Sequence, residues 1–168
     1  MPYDPDRHHR RSIRLPGYDY SRGGAYFVTI CVQGRACSLG AVIDGEMRLS
    51  EQGEIVAGCW AAITDHFPKV VLDASVIMPN HLHGIVFLSD SQISAGRPTL
   101  AKITGDFKSA SARRINAQHG TAGSFWQRGY YEHIVRNEHS LARLQTYIAE
   151  NPQRWAMDQL YRDSVNET

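Results

Sequence analysis

"VVLDASVIMPNHLHGIVFL", residues 70–88, reads as two β-strands meeting at a tight corner. Both halves are rich in β-branched and apolar residues, and Pro79-Asn80 between them is a turn-forming pair. Upstream, "AYFVTICV" (25–32) has the composition of another strand. After it comes the short "MRLS", whose Ser50 is placed to cap a helix. From Glu51 to His66, Ile55, Cys59, Ala62 and Ile63 recur at helical spacing until Phe67-Pro68 ends the run.

Downstream, "SDSQISAGRP" (89–98) is a polar connector. "TLAKITGDFKSASARRINAQ" (99–118) has apolar residues at 100, 103, 107, 110 and 115, a helical stripe with a basic opposite side. Gly120 to Gly123 breaks it, and "FWQRGYYEHIV" (125–135) reads as a fourth strand. Asn137 is a plausible N-cap for "EHSLARLQTYIAEN" (138–151), a helix stopped by Pro152. Strand, helix, strand, strand, helix, strand and a final helix is the order of an α+β, ferredoxin-like split βαβ sandwich. Its antiparallel sheet would have four to five strands, with two helices on one face and the appended C-terminal helix on the other.

The totals agree with one domain. A chain of 168 residues is long enough to bury a sizeable core, and 42% hydrophobic with 21% charged residues is ordinary for a globular protein. No apolar run approaches the roughly 20 residues of a membrane span, and the polar, basic N-terminus is unlike a secretory signal. Cys31, Cys37 and Cys59, an odd number without CxxC spacing, point to reduced thiols, a cytoplasmic location and no disulfide framework. Residues 1–24, with Pro2, Pro5, Pro16 and several glycines, form an extended basic arm; 25–158 form the domain; 159–168 are a polar, helical tail.

Net charge is +1, but the charge is unevenly spread. "RHHRRSIR" (7–14) is one basic cluster; Arg97, Lys102, Lys108, Arg113 and Arg114, set against Asp106 alone, form another. Such patches suit phosphate contacts and equally suit solvated faces.

His81 and His83 project from the same face of their strand, about 7 Å apart along the backbone, and can converge on one divalent metal. A lone HxH also describes surface or hydrogen-bonded core histidines. Tyr147 and Asn151, at i and i+4, share one helix face beside the apolar stripe Leu141, Leu144 and Ile148 that would dock the helix on the sheet. The plainer alternative makes Tyr147 a core-edge aromatic and Asn151 a C-cap. A barrel amidohydrolase needs roughly 250 residues, and a histidine-triad hydrolase would want a histidine where Ile85 stands.

Taken together, "RRSIRLPGYDYSRGGAYFVTI" (10–30), "MPNHLHGIV" (78–86), "FKSASARRIN" (107–116), "FWQRGYYEHIVRNE" (125–138) and "YIAENPQRW" (147–155) resemble the REP-associated tyrosine transposases, a branch of the HUH (His-hydrophobe-His) single-strand transposases. The likeness runs from about Arg10 to Asp158, and the combination of MPNHxH with YIxxNP is what makes it specific. It implies the same ferredoxin-like fold. It implies that His81, His83 and Asn151 hold Mg²⁺ or Mn²⁺, and that Tyr147 is the nucleophile. It further implies cleavage and rejoining of single-stranded hairpin DNA through a 5′-phosphotyrosine. Tyr130 and Tyr131 remain alternative nucleophiles on chemistry alone.

Lys108, Arg113 and Arg114, with Arg10, Arg11 and Arg14 of the arm, are the candidates for following the DNA backbone. Trp126, Tyr130 and Trp155 are candidates for stacking on unpaired bases or for core packing. A host-retained hairpin-binding protein that does not cleave is the competing reading, and a small-molecule phosphohydrolase a weaker one. Relatives implied by the resemblance include homodimers that exchange the tyrosine helix and monomers acting in cis. The short linker before Asn137 leans toward cis.

Overall fold

The structure, a computed structural model, describes residues 24–88 and 98–162. In chain order the elements begin with β1 (Gly24–Cys31), a 3-10 turn (Gln33–Arg35), β2 (Gly40–Ile43) and β3 (Glu46–Leu49). Helices α1 (Glu51–Ala61) and α2 (Ile63–His66) follow, then β4 (Val70–Met78) and β5 (His81–Leu88). The chain continues with α3 (Leu100–His119), β6 (Tyr131–Val135), α4 (Glu138–Glu150) and a closing 3-10 helix (Pro152–Met157). The main sheet has four strands in the order β4-β5-β1-β6, with every neighbouring pair antiparallel. That is the split βαβ arrangement expected from the element order. The arm with Arg10, Arg11 and Arg14, Arg97 with most of the connector, and the last residues of the tail lie outside the described residues.

Alternation along the strands divides the side chains into two cores. Tyr26, Val28, Ile30, Leu82, Val86 and Leu88 pack against Val56 and Trp60 of α1 and Leu100, Ile103, Phe107 and Ile115 of α3. On the other face, Ala25, Phe27 and Ile85 meet Ile148 of α4, flanked by Leu141 and Leu144. The C-terminal helix thus covers the face left open by the other two. A bulge in β4 between Leu72 and Ser75 helps to fix it there, since Asp73 Oδ2 accepts from Gln145 Nε2 at 2.7 Å.

Two helix starts follow the capping residues read from sequence, Ser50 and Asn137, and Thr99, which the sequence places within its helix, caps the third. Each accepts a backbone N–H three residues on. Elsewhere the structure departs from expectation. The run from Glu51 to His66 is two helices, because the chain breaks at Ala62, whose ψ of −7 leaves the α-helical path. "FWQRGYYEHIV" is a strand only from Tyr131, since Gly129 adopts φ of +77. Trp126 makes one isolated bridge to Val32. "MRLS" belongs to a hairpin with residues 40–43 that the strand count omitted. Its signal is Asp44-Gly45, both with positive φ (52 and 76), the backbone a two-residue type I′ turn demands. Residues 159–162 form a turn and irregular chain rather than a helical start to the tail.

Candidate active site

β5 begins at His81 directly after the Pro79-Asn80 corner, so its first and third residues point to the α4 face of the sheet. Both imidazoles are buried, His81 at 0% and His83 at 3% exposure, and their Nε2 atoms stand 3.1 Å apart. Each Nδ1 has its own partner at 2.7 Å: Asn80 Oδ1 for His81 and Thr29 Oγ1 for His83. Thr29 lies directly across from His83 in the β1–β5 ladder. Burial pushes His81 down to about 3, with the Asn151 side chain pulling the other way. Burial, with His81 beside it, also holds His83 well below the usual imidazole range. Both rings are therefore neutral at pH 7 and able to offer lone pairs.

α4 places Tyr147 over this pair within the same chain. The Tyr147 ring sits 5.3 Å from the His83 ring and 6.2 Å from that of Phe27, centroid to centroid. It keeps 42% of its surface exposed, so the phenol stands at the mouth of the site. Burial of its inner part raises its pKa, the Asn151 side chain lowers it, and Asp158 and Tyr131 raise it. One helical turn further on, Asn151 is 3% exposed, and its Oδ1 is buried with no hydrogen-bond partner. A buried carbonyl oxygen left without a donor costs about 1–3 kcal/mol, so it marks a position built for something else.

Asp158 completes the group. Its Oδ2 lies 3.9 Å from His81 Nε2, and the ligand atoms of His81, His83 and Asp158 all fall within 4.8 Å of one another. Two imidazole nitrogens 3.1 Å apart match two adjacent corners of an octahedral shell, which stand roughly 3.0 Å apart at ligand distances near 2.1 Å. With the orphaned amide oxygen and a carboxylate alongside, the donor set is mixed nitrogen and oxygen, suited to a divalent cation that prefers oxygen. These residues fit a metal.

Of the residues picked out from sequence, the fold brings together His81, His83, Tyr147 and Asn151. It also brings Tyr131, opposite Thr29 on β6, whose ring is 6.3 Å from that of Phe27. Tyr130 instead packs with the core on the α1/α3 side. Lys108, Arg113 and Arg114 ride on α3, in the layer across the sheet from the histidines. The Lys108 ammonium donates to the carbonyls of Gln127 and Gly129 at 2.7 and 2.8 Å, holding the loop ahead of β6. Arg113 and Arg114 are exposed, and Arg114 Nη1 reaches Cys59 Sγ at 3.6 Å.

Neither tryptophan is a free stacking surface. Trp126 is 5% exposed with its Nε1 donating to Ser111 Oγ, and Trp155 lies between the His81 and Tyr161 rings. Thr29, Asn80 and Asp158 were missed from sequence. Only Asn80, next to His81, carried a local hint.

The family model described as "Transposase IS200 like" matches residues 54–151. An uncharacterized protein of Haemophilus influenzae is 40% identical over 179 residues, spanning 96% of this chain and 98% of its own. A second protein of that organism, carrying the name REP-associated tyrosine transposase, is 25% identical over 150 residues, 86% of this chain and 79% of its own. Among solved structures, a REP-associated tyrosine transposase bound to a REP hairpin matches with a TM-score of 0.64 at 20% identity, over 84% of this chain and 73% of that one. That likeness speaks for the fold, in agreement with the sheet order. The matched span covers more than half of the sequence and holds the histidine pair, Tyr147 and Asn151; the chain belongs to the IS200-like transposase family.

Proposed function

We propose that this transposase is a metal-dependent enzyme that cleaves and rejoins single-stranded DNA at hairpin sequences through a 5′-phosphotyrosine on Tyr147. The observation that carries the reading is a partly exposed tyrosine whose ring lies 5.3 Å from that of His83, one of a buried, neutral histidine pair, with the unpaired Asn151 oxygen adjoining. His81, His83, Asn151 and Asp158 would hold Mg²⁺ or Mn²⁺. When bound, the cation supplies charge neutralisation at the scissile phosphate and acidity to the attacking phenol.

The chain's own residues do the rest. Tyr147 Oη forms the bond to phosphorus while the bond from phosphorus to the 3′-oxygen breaks. The phenolic proton leaves, and the departing 3′-oxygen takes up a proton to become a free hydroxyl. Because burial raises the Tyr147 pKa, the phenol enters the reaction protonated, and Asn151 is the neighbour that favours its ionised form. The phosphotyrosine keeps the energy of the broken linkage, so another 3′-hydroxyl can attack it and rejoin the strand. The docking of α4 on its own sheet places Tyr147 beside the histidines of the same chain, which supports action in cis. Among the described residues no helix is long and apolar enough to cross a membrane.

The test is incubation with Mn²⁺ and 3′-labelled single-stranded DNA that carries hairpin repeats from the gene's own flanks, resolved on a denaturing protein gel. A labelled band at the mass of protein plus DNA supports the reading. Hairpin binding without an adduct turns the assignment to a DNA-binding protein. Released nucleotide without an adduct turns it to a hydrolase.

A further inference from the structure

We propose that Asn80 is a positioning residue that sets the tautomer of His81, holding its proton on Nδ1 so that the Nε2 lone pair faces His83 and Asp158.

Asn80 is buried at the corner between β4 and β5, and its carboxamide is fully engaged. One end lies 3.2 Å from the Arg35 carbonyl oxygen and 2.7 Å from that of Leu160. Carbonyl oxygens only accept, so that end is the amide NH₂. The other end, 2.7 Å from His81 Nδ1, is then the oxygen, which also only accepts. A neutral imidazole meeting an acceptor at Nδ1 must carry its proton there. Three separate stretches of chain share the constraint: the 3-10 turn after β1, the head of β5 and the segment after the closing 3-10 helix. Asn80 O also accepts the Val32 N–H at 2.9 Å, so the corner cannot swing away.

The consequence reaches His83. With a lone pair on His81 Nε2, the 3.1 Å contact between the two Nε2 atoms needs a proton from His83. In the metal-free protein His83 is therefore the Nε2–H tautomer, and its Nδ1 accepts from the Thr29 hydroxyl at 2.7 Å. For His83 to offer Nε2 to a cation its proton must pass, through solvent, to Nδ1, with Thr29 turning to accept. A hydroxyl can fill both roles. His81 is thus pre-set for a cation, and His83 is convertible.

The tautomer is measured directly by long-range ¹H–¹⁵N correlation on the metal-free, full-length protein labelled with ¹⁵N-histidine. The expected spectrum shows His81 as Nδ1–H and His83 as Nε2–H. A wild-type His81 protonated on Nε2 overturns the proposal, whether or not the variants fold.

Mn²⁺ calorimetry supplies the second readout and rests on the metal reading above. Asn80→Ala is expected to mix the His81 tautomers and to weaken Mn²⁺ binding about 10- to 100-fold. Asn80→Asp keeps an acceptor for Nδ1–H, so it is expected to keep the tautomer and most of the affinity, despite losing both donated bonds and some thermal stability. A folded Asn80→Ala with the wild-type tautomer and affinity also overturns it. Failure of the wild type to bind Mn²⁺ would count against the metal reading, and the tautomer spectrum would still decide this one.

Discussion

His81 and His83 face each other through their Nε2 atoms at 3.1 Å, two buried imidazoles with room for at most one proton between them. Below its ordinary pKa each would be charged in the unfolded chain, yet the fold keeps both neutral. The unfolded state therefore binds more protons, so stability rises with pH and is lost as the pH drops below the ordinary imidazole pKa. For His81 the window runs from 6.5 down to about 3. By pH 5 His81 alone costs roughly 2 kcal/mol of stability, and His83 acts in the same direction.

Urea unfolding with chelator present is expected to show a lower midpoint at pH 5 than at pH 7.5. The double variant His81→Gln, His83→Gln should show a flatter profile. Identical slopes for the two proteins would remove the histidines from the pH response.

Tyr147→Phe removes the oxygen proposed as nucleophile and leaves the ring in contact with those of His83 and Phe27. The adduct band is expected to vanish, while thermal stability and Mn²⁺ binding stay near wild type. Tyr131 lies on the same face, within reach of Phe27. Tyr131→Phe is the control and is expected to retain the adduct. If the two variants exchange these outcomes, the nucleophile is Tyr131.

Gly84 follows His83 in β5 and points to the opposite face, where a Cβ would overlap the Trp60 ring. Trp60 is itself locked edge-on against Phe107 at 5.3 Å, so it cannot retreat freely. Gly84→Ala is expected to destabilise the protein by about 1–3 kcal/mol through overpacking. The shift of β5 should also lower Mn²⁺ affinity, because His83 shares that strand. A melting temperature equal to wild type would show that α1 yields where it is taken to be rigid.

The order of elements was legible because each strand and helix carried its own period and its own stop. Gly129 is where that legibility ended: apolar and aromatic composition from Phe125 onward reads as strand, and one positive φ delays it to Tyr131. The hairpin at Asp44-Gly45 was legible in principle, from a dipeptide that favours positive φ. His81 and His83 could be paired from spacing alone, because period two is local. Their convergence with Tyr147 and Asn151 needed the family likeness, since α4 and β5 are distant in sequence. Thr29 and Asp158 could not be read at all. One reaches the site through strand register, the other through the path of the chain after Pro152, and neither leaves a local pattern.

Asn151 offers the sharpest separation of site from scaffold. Its Oδ1 is buried without a donor, an arrangement that weakens a fold unless a ligand uses it. Asn151→Leu, similar in volume, removes that oxygen and adds apolar contact beside Ile148 and Trp155, both buried. In chelator the variant is expected to be as stable as the wild type or more so. With Mn²⁺ the order should reverse. A cation at 100 times its dissociation constant adds about 2.7 kcal/mol to a protein that binds it only when folded. Most of that gain should be missing from the variant, and the adduct with it. A variant less stable in chelator and equally stabilised by Mn²⁺ would make Asn151 a helix C-cap and nothing more.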